Sequence, residues 1–185
     1  MLKFNNETHQ YYFEIPSVSA ILRATVFKDK YKNVPEHILQ AAADFGTAIH
    51  DAIERDNDIF LDDIQKEKFK EYQEIKKEHN IKIVAQEQMV YYDGEVKYAG
   101  RYDMLAEING ELTLIDIKTT YALDKEYISY QLSFYAMALE KMGYPPKKLA
   151  PIWLPKRKKG KLVYVDRVPN ERLLEVLREY ETNSK

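Results

Sequence analysis

There is no cysteine in the 185 residues. That removes disulfides, thiolate zinc sites and cysteine-ligated iron–sulfur clusters. No apolar run approaches the ~18 residues that a membrane-spanning helix needs. The first residues, MLKFNNETHQ, lack the apolar region of a signal peptide, so a cytoplasmic location is expected. No Gly/Ser linker, low-complexity tract or internal repeat interrupts the chain, and its length suits a single domain over 1–185 with a sizeable core. A strong excess of one charge is missing as well. The net charge of −2 argues against a uniformly basic surface but leaves room for a local basic groove.

What is present divides into three parts. Residues 17–79 read as helical. After an extended YYFEI arm that Pro16 ends, Ser17 or Ser19 can cap a short helix through Ala24. Pro35 opens a longer one, with Glu36 in its first turn and Ile38, Ala41, Ala42, Phe45, Ile49 and Ile53 along one stripe. A highly charged helix follows over 61–79. Residues 81–143 switch to a strand period: 81–92, an Asp93-Gly94 turn, 97–108, an Asn109-Gly110 hairpin and 112–118, then a helix over 126–142. Residues 148–182 supply strands at 149–154 and 161–168 around the basic turn KRKKGK, and a last helix from Asn170. The order predicts an α/β or α+β fold, with a mixed sheet flanked by helices.

The chemistry concentrates in LTLIDIKTTYAL, from Leu112. Asp116 and Lys118 are two apart on a strand and share a face, while Ile117 points the other way. With Asn109-Gly110 as a two-residue loop, opposed residues sum to about 219, which sets Asp103 against Asp116 at ~5 Å. Two carboxylates that close repel unless a cation lies between them. Lys118 helps, and a hard divalent ion with oxygen ligands would do it better. Asp103, Asp116 and the Ile117 carbonyl would make such a site; a plain surface ion-pair cluster would use the same residues. Gly46 in mid-helix costs ~1 kcal/mol against alanine, which implies close packing there, and His50 lies one turn further on. Gln131 and Tyr135 share a helix face, and Glu87 can point the same way from the first strand. Lys156, Arg157, Lys158, Lys159 and Lys161, with Trp153 at the base of their turn, are either a solvated tip or a phosphate-binding line. Lys28, Lys30 and Lys32 offer a second, weaker line.

In chain order these residues read G-x-x-x-H (Gly46–His50), E (Glu87), G-x-x-D (Gly100–Asp103), D-x-K (Asp116–Lys118) and Q-x-x-x-Y (Gln131–Tyr135). This ordered set resembles the RecB-like nucleases of the PD-(D/E)XK superfamily, and IPSVSAIL resembles the entry segment of small phage members. The resemblance runs from residue 15 to about 140. It implies an αβββαβ restriction-endonuclease-like core and a metal-dependent DNA nuclease, most simply a sequence-independent exonuclease of recombination, repair or replication. It implies that Asp103, Asp116 and the Ile117 carbonyl hold one or two Mg²⁺ or Mn²⁺ ions, with His50 as a helical ligand. Lys118 would orient or activate the attacking water, and would hold its proton less tightly beside a metal. Gln131 and Tyr135 would position the lysine and the phosphate, and Glu87 would be an additional acid. The basic turn would contact DNA. Some branches of the family carry a four-cysteine iron–sulfur cluster, which this chain lacks. With no G-x-x-x-x-G-K-[ST] loop, any helicase or recombination partner would be a separate chain. The alternative is a catalytically inactive DNA- or protein-binding subunit on the same fold.

Overall fold

A computed structural model describes residues 15–30 and 32–183, together with the backbone of two short paired strands, β1 (Phe4–Asn5) and β2 (Gln10–Tyr11). Most of the YYFEI arm lies outside the described residues. Ser17 caps α1 (Val18–Ala24), its Oγ accepting the Ala20 N–H at 3.1 Å. Then follow α2 (Glu36–Arg55), with Pro35 at its N-cap, and α3 (Asp63–Glu78), closed by a reciprocal Asp62–Gln65 capping box. The sheet strands are β3 (Lys82–Tyr92), β4 (Tyr98–Ile108), β5 (Glu111–Lys118), β6 (Lys148–Trp153) and β7 (Lys161–Leu162). Helix α4 (Lys125–Lys141) joins β5 to β6, and α5 (Asn170–Asn183) ends the chain.

The five strands lie in the order β3-β4-β5-β6-β7. The first three are antiparallel, β6 runs parallel to β5, and β7 returns antiparallel. One face packs on α1, α4 and α5 through Leu22, Leu114, Leu132, Phe134, Leu149 and Val176. The other packs on α2 and α3 through Ile49, Phe69, Tyr72, Met104, Ile115 and Ile152. This is the mixed, helix-flanked sheet that the element order predicts, in the restriction-endonuclease-like arrangement that the resemblance implies.

The Asn109-Gly110 hairpin sets the register that positions the site. Both residues have positive φ, 53° and 80°, as a type I′ turn requires. From there Ile108↔Glu111 through Met104↔Ile115 pair with the expected sum. The ladder stops at Met104↔Ile115, so β4 and β5 part at Asp103 and Asp116. Beyond the split, β4 takes a new neighbour: Ala99 bridges to Ser17 and donates its N–H to the Pro16 carbonyl at 3.1 Å.

The last sheet strand is much shorter than the expected 161–168. It covers Lys161–Leu162, with one further bridge at Leu149↔Val165. The cause is Pro151. Val163 donates to the Pro151 carbonyl at 2.9 Å, but proline has no N–H to return, and the ladder lapses there.

Helix α4 sits close to β4 because residue 100 is glycine. A Cβ there would meet Tyr135 Cε1 at 2.2 Å, and that ring is buried. Gly100→Ala is therefore expected to lower stability by about 1–3 kcal/mol through overpacking. Urea unfolding measures it; an unchanged midpoint would mean that the Tyr135 ring yields without cost.

Candidate active site

Where β4 leaves β5, the Ile117 N–H loses its ladder partner. Asp103 replaces it: its Oδ2 accepts that N–H at 2.6 Å. The Ile117 carbonyl lies 3.1 Å from His50 Nε2. A carbonyl only accepts, so Nε2 carries the proton and donates. The other ring nitrogen, Nδ1, faces Asp103 Oδ2 at 3.6 Å and Glu87 Oε1 at 4.0 Å. His50 comes from α2, which reaches the sheet where it carries no side chain: a Cβ on Gly46 would stand 3.1 Å from Thr119 Oγ1.

Glu87 gets there by an irregularity. It lies in β3 with φ 50°, a left-handed conformation costly for a side chain with a Cβ. The rung that would join it to Asp103 is missing between Gln86↔Met104 and Gln88↔Tyr102. The strand alternation slips at the same level. Tyr98, Tyr102 and Leu105 of β4 face α4, whereas Met104, Ala106 and Ile108 face α2 and α3. Arg101 fixes the carboxylate, its Nε donating to Glu87 Oε2 at 2.5 Å.

His50, Glu87 and Asp103 each offer a ligand atom within 4.8 Å of the others, the metal-competent group among the described residues. Asp116 is not part of it. Its Oδ2 pairs with Lys118 Nζ at 2.7 Å, and its side chain is only 6 % exposed. Of the expected ligands, Asp116 is paired with Lys118 and the Ile117 carbonyl accepts from His50, while Glu87, expected as an additional acid, joins His50 and Asp103. On the α4 side, Gln131 Nε2 donates to the Tyr135 hydroxyl at 3.3 Å, and the buried Gln131 Oε1 has no hydrogen-bond partner.

The electrostatics call for positive charge. Burial pulls the His50 pKa down, but Asp103, Glu87 and Asp116 outweigh it and push it up to about 9. Burial, with the repulsion of Asp116, lifts the Asp103 carboxyl to about 6 against the pull of His50 and Lys118. Burial would raise Glu87 too, yet the nearby His50 and the bonded Arg101 hold it below the ordinary value. Among these side chains alone Lys118 is held above its ordinary value: Asp116 and Asp103 outweigh burial, the reverse of the direction expected beside a metal. The proton on His50 stands where a cation would. Two carboxylates and an imidazole fit a divalent ion.

The basic turn lies at the same end of the sheet. Trp153 of β6 is the ladder partner of Lys118, and Leu154 N–H donates to the Lys118 carbonyl at 2.7 Å. Lys156 to Lys159 are exposed. Lys156 Nζ lies 5.3 Å from the Phe45 ring of α2. The turn is pinned from α3 by a pair that the sequence hid among many charges. Lys68, buried, donates to both Glu71 oxygens at 3.0 Å and to the Lys158 carbonyl at 2.9 Å. Glu71 accepts the Gly160 N–H at 2.8 Å. The second basic line is engaged elsewhere, Lys28 with Glu179, Lys30 with Asp124 and Lys32 with Asp29.

Residues 60–183 match the family model described as the PD-(D/E)XK nuclease superfamily, and the chain belongs to that superfamily. Gly46 and His50 precede the matched segment. Among solved structures, the protein SSO0001 superposes with a TM-score of 0.59 at 14 % identity, over 95 % of this chain and 79 % of that one. A candidate exonuclease from Eubacterium rectale superposes with a TM-score of 0.55 at 15 % identity, over 100 % of this chain and 85 % of that one. At such identities the likeness speaks for the fold. No curated protein matches the sequence.

Sequence reasoning missed Arg101, Lys68 and Glu71. Arg101 sits inside the GRYD stretch, two residues before Asp103, where its charge was a usable signal. Nothing in α3 marks Lys68 as buried. Removing one member of a buried pair is costly, about 3–5 kcal/mol, so Lys68→Met is expected to lower stability and to open the 156–159 turn to trypsin. Limited proteolysis checks this; a turn as resistant as the wild type would show that α3 does not hold it.

Proposed function

We propose that this chain is a metal-dependent DNA nuclease, acting as a sequence-independent exonuclease in recombination, repair or replication within the cytoplasm. The observation that carries it is the convergence of His50, Glu87 and Asp103 beside an Asp116–Lys118 pair where β4 and β5 part. Membership of the nuclease superfamily supports the reaction class, and the Eubacterium rectale neighbour, named as a candidate exonuclease, shares the fold.

His50, Glu87 and Asp103 would hold Mn²⁺ or Mg²⁺, which supplies Lewis-acid activation of water and neutralises the phosphate. Lys118 lies beside that group with its ammonium anchored by Asp116. It would hydrogen-bond the attacking water and offset charge that builds on the phosphate. Water oxygen forms the new bond to phosphorus and releases a proton to solvent, the bond to one sugar oxygen breaks, and that oxygen takes up a proton from solvent. Gln131 orients the Tyr135 hydroxyl, which would donate to a phosphate oxygen. Lys156, Arg157, Lys158, Lys159 and Lys161 would neutralise flanking phosphates. A helicase or recombination protein would join as a separate chain. A catalytically inactive binding subunit is the other reading; the intact pair of acids with its lysine speaks against it.

Digestion of end-labelled linear DNA beside a closed circle, with Mn²⁺, Mg²⁺ or EDTA, tests this directly. Loss of linear DNA in metal, with the circle spared, is expected; cutting of the circle would replace exonuclease by endonuclease. Asp116→Asn and Lys118→Ala should each slow cleavage roughly 10²–10³-fold with circular dichroism unchanged, and cleavage persisting in both would sink the site. By calorimetry, His50→Ala and Asp103→Asn should each weaken Mn²⁺ binding at least about tenfold. Undiminished affinity would reject the ligand set.

A further inference from the structure

The loop that follows β5 carries Tyr121, three residues beyond Lys118 and 75 % exposed. One exposed aromatic is ordinary, but this one has structured surroundings. Trp153 is the ladder partner of Lys118, on a strand only ~4.8 Å away. Its indole N–H donates to the Thr120 carbonyl at 2.8 Å, which ties β6 to the Tyr121 loop and fixes how the indole lies. The Thr120 hydroxyl donates to the Ala122 carbonyl at 2.8 Å, bracing the loop across Tyr121. Lys158 Nζ lies 5.3 Å from the Tyr121 ring and 5.7 Å from the Trp153 ring, and Lys161 Nζ lies 5.5 Å from the Trp153 ring. Two aromatic rings thus share one ammonium, with a second beside them, on a turn held in place by Lys68 and Glu71.

We propose that Tyr121 and Trp153 form a stacking platform for an unpaired nucleobase, so that the strand entering the site is single-stranded or frayed at its end. This rests on the nuclease reading and narrows its substrate. Aromatic faces interleaved with cations bind single strands because each unpaired base offers a face to a ring while its phosphate meets a charge. Bases inside a duplex have both faces covered by their neighbours. The platform adjoins Lys118 through the β5–β6 ladder, so a base stacked there belongs to a nucleotide beside the scissile phosphate. Lys158, on a flexible stem, can slide from the Tyr121 face to that phosphate. Nothing in the arrangement reads base edges, which agrees with sequence-independent action.

Trp153 is the single tryptophan of the chain, so its fluorescence reports stacking directly. The wild-type protein is titrated in EDTA with a short oligothymidylate, within the ~4–16 nucleotides that such sites cover. Parallel titrations use an abasic strand of equal charge and a blunt hairpin duplex. Quenching by oligothymidylate and none by the abasic strand is expected. Tyr121→Ala should lower oligothymidylate affinity about five- to tenfold and leave hairpin and Mn²⁺ affinities unchanged; Tyr121→Phe should behave as the wild type. An abasic strand bound as tightly as oligothymidylate, or equal losses on both DNAs in Tyr121→Ala, overturns the platform. Stacking without cleavage in any metal would instead overturn the nuclease reading and leave the platform standing.

Discussion

The hydrogen bond from the Ile117 N–H to Asp103 at 2.6 Å is the contact on which the site depends. A sheet that opens in its interior leaves backbone donors bare, and bare buried donors are costly. Asp103 satisfies one such donor at the fork, and that lets β4 and β5 diverge. The Ile117 carbonyl is met by His50 from α2. One residue of β5 thus has both backbone polar groups engaged by candidate ligands. The geometry of those ligands is therefore tied to the strand itself and not to a surface loop.

The fork also explains how so many charges sit together without breaking the fold. Glu87, Asp103 and Asp116 are met by Arg101, His50 and Lys118. Each acid has a cation within 4 Å, and the raised His50 pKa is the mark of that balance. The left-handed turn of the chain at Glu87 is the strain that accompanies it. On the opposite face, the missing side chain of Gly100 lets Tyr135 lie against β4, which brings α4 and its polar pair to the same end of the sheet.

Much of this was legible because it is local. Asn109-Gly110 dictates a two-residue turn, and the turn dictates which residues meet across β4 and β5. The two-residue step from Asp116 to Lys118 fixes a shared face, and Leu114 before them packs on the α4 side as that alternation requires. Gly46 announced a close approach without naming Thr119. What escaped has a different origin. A positive φ at Glu87 breaks the alternation that sequence reading assumes. Glu87 stands 4.0 Å from His50 at that irregularity. The early end of β7 depends on Pro151 in a different strand. Lys68 looked like any solvated lysine, because its burial is decided by a turn 90 residues away.

The Lys68–Glu71 clamp has a consequence for cooperativity. A turn rich in lysine would ordinarily open by itself, at small free-energy cost and on a fast timescale. Here its Lys158 carbonyl and Gly160 amide are bonded to a helix whose Phe69, Tyr72 and Ile75 are built into the core. The turn cannot come loose without freeing a buried charge pair, so it belongs to the same unfolding unit as α3. Its amides should then exchange with solvent at the pace of the helix, and this basic edge of the protein behaves as scaffold and not as a lid.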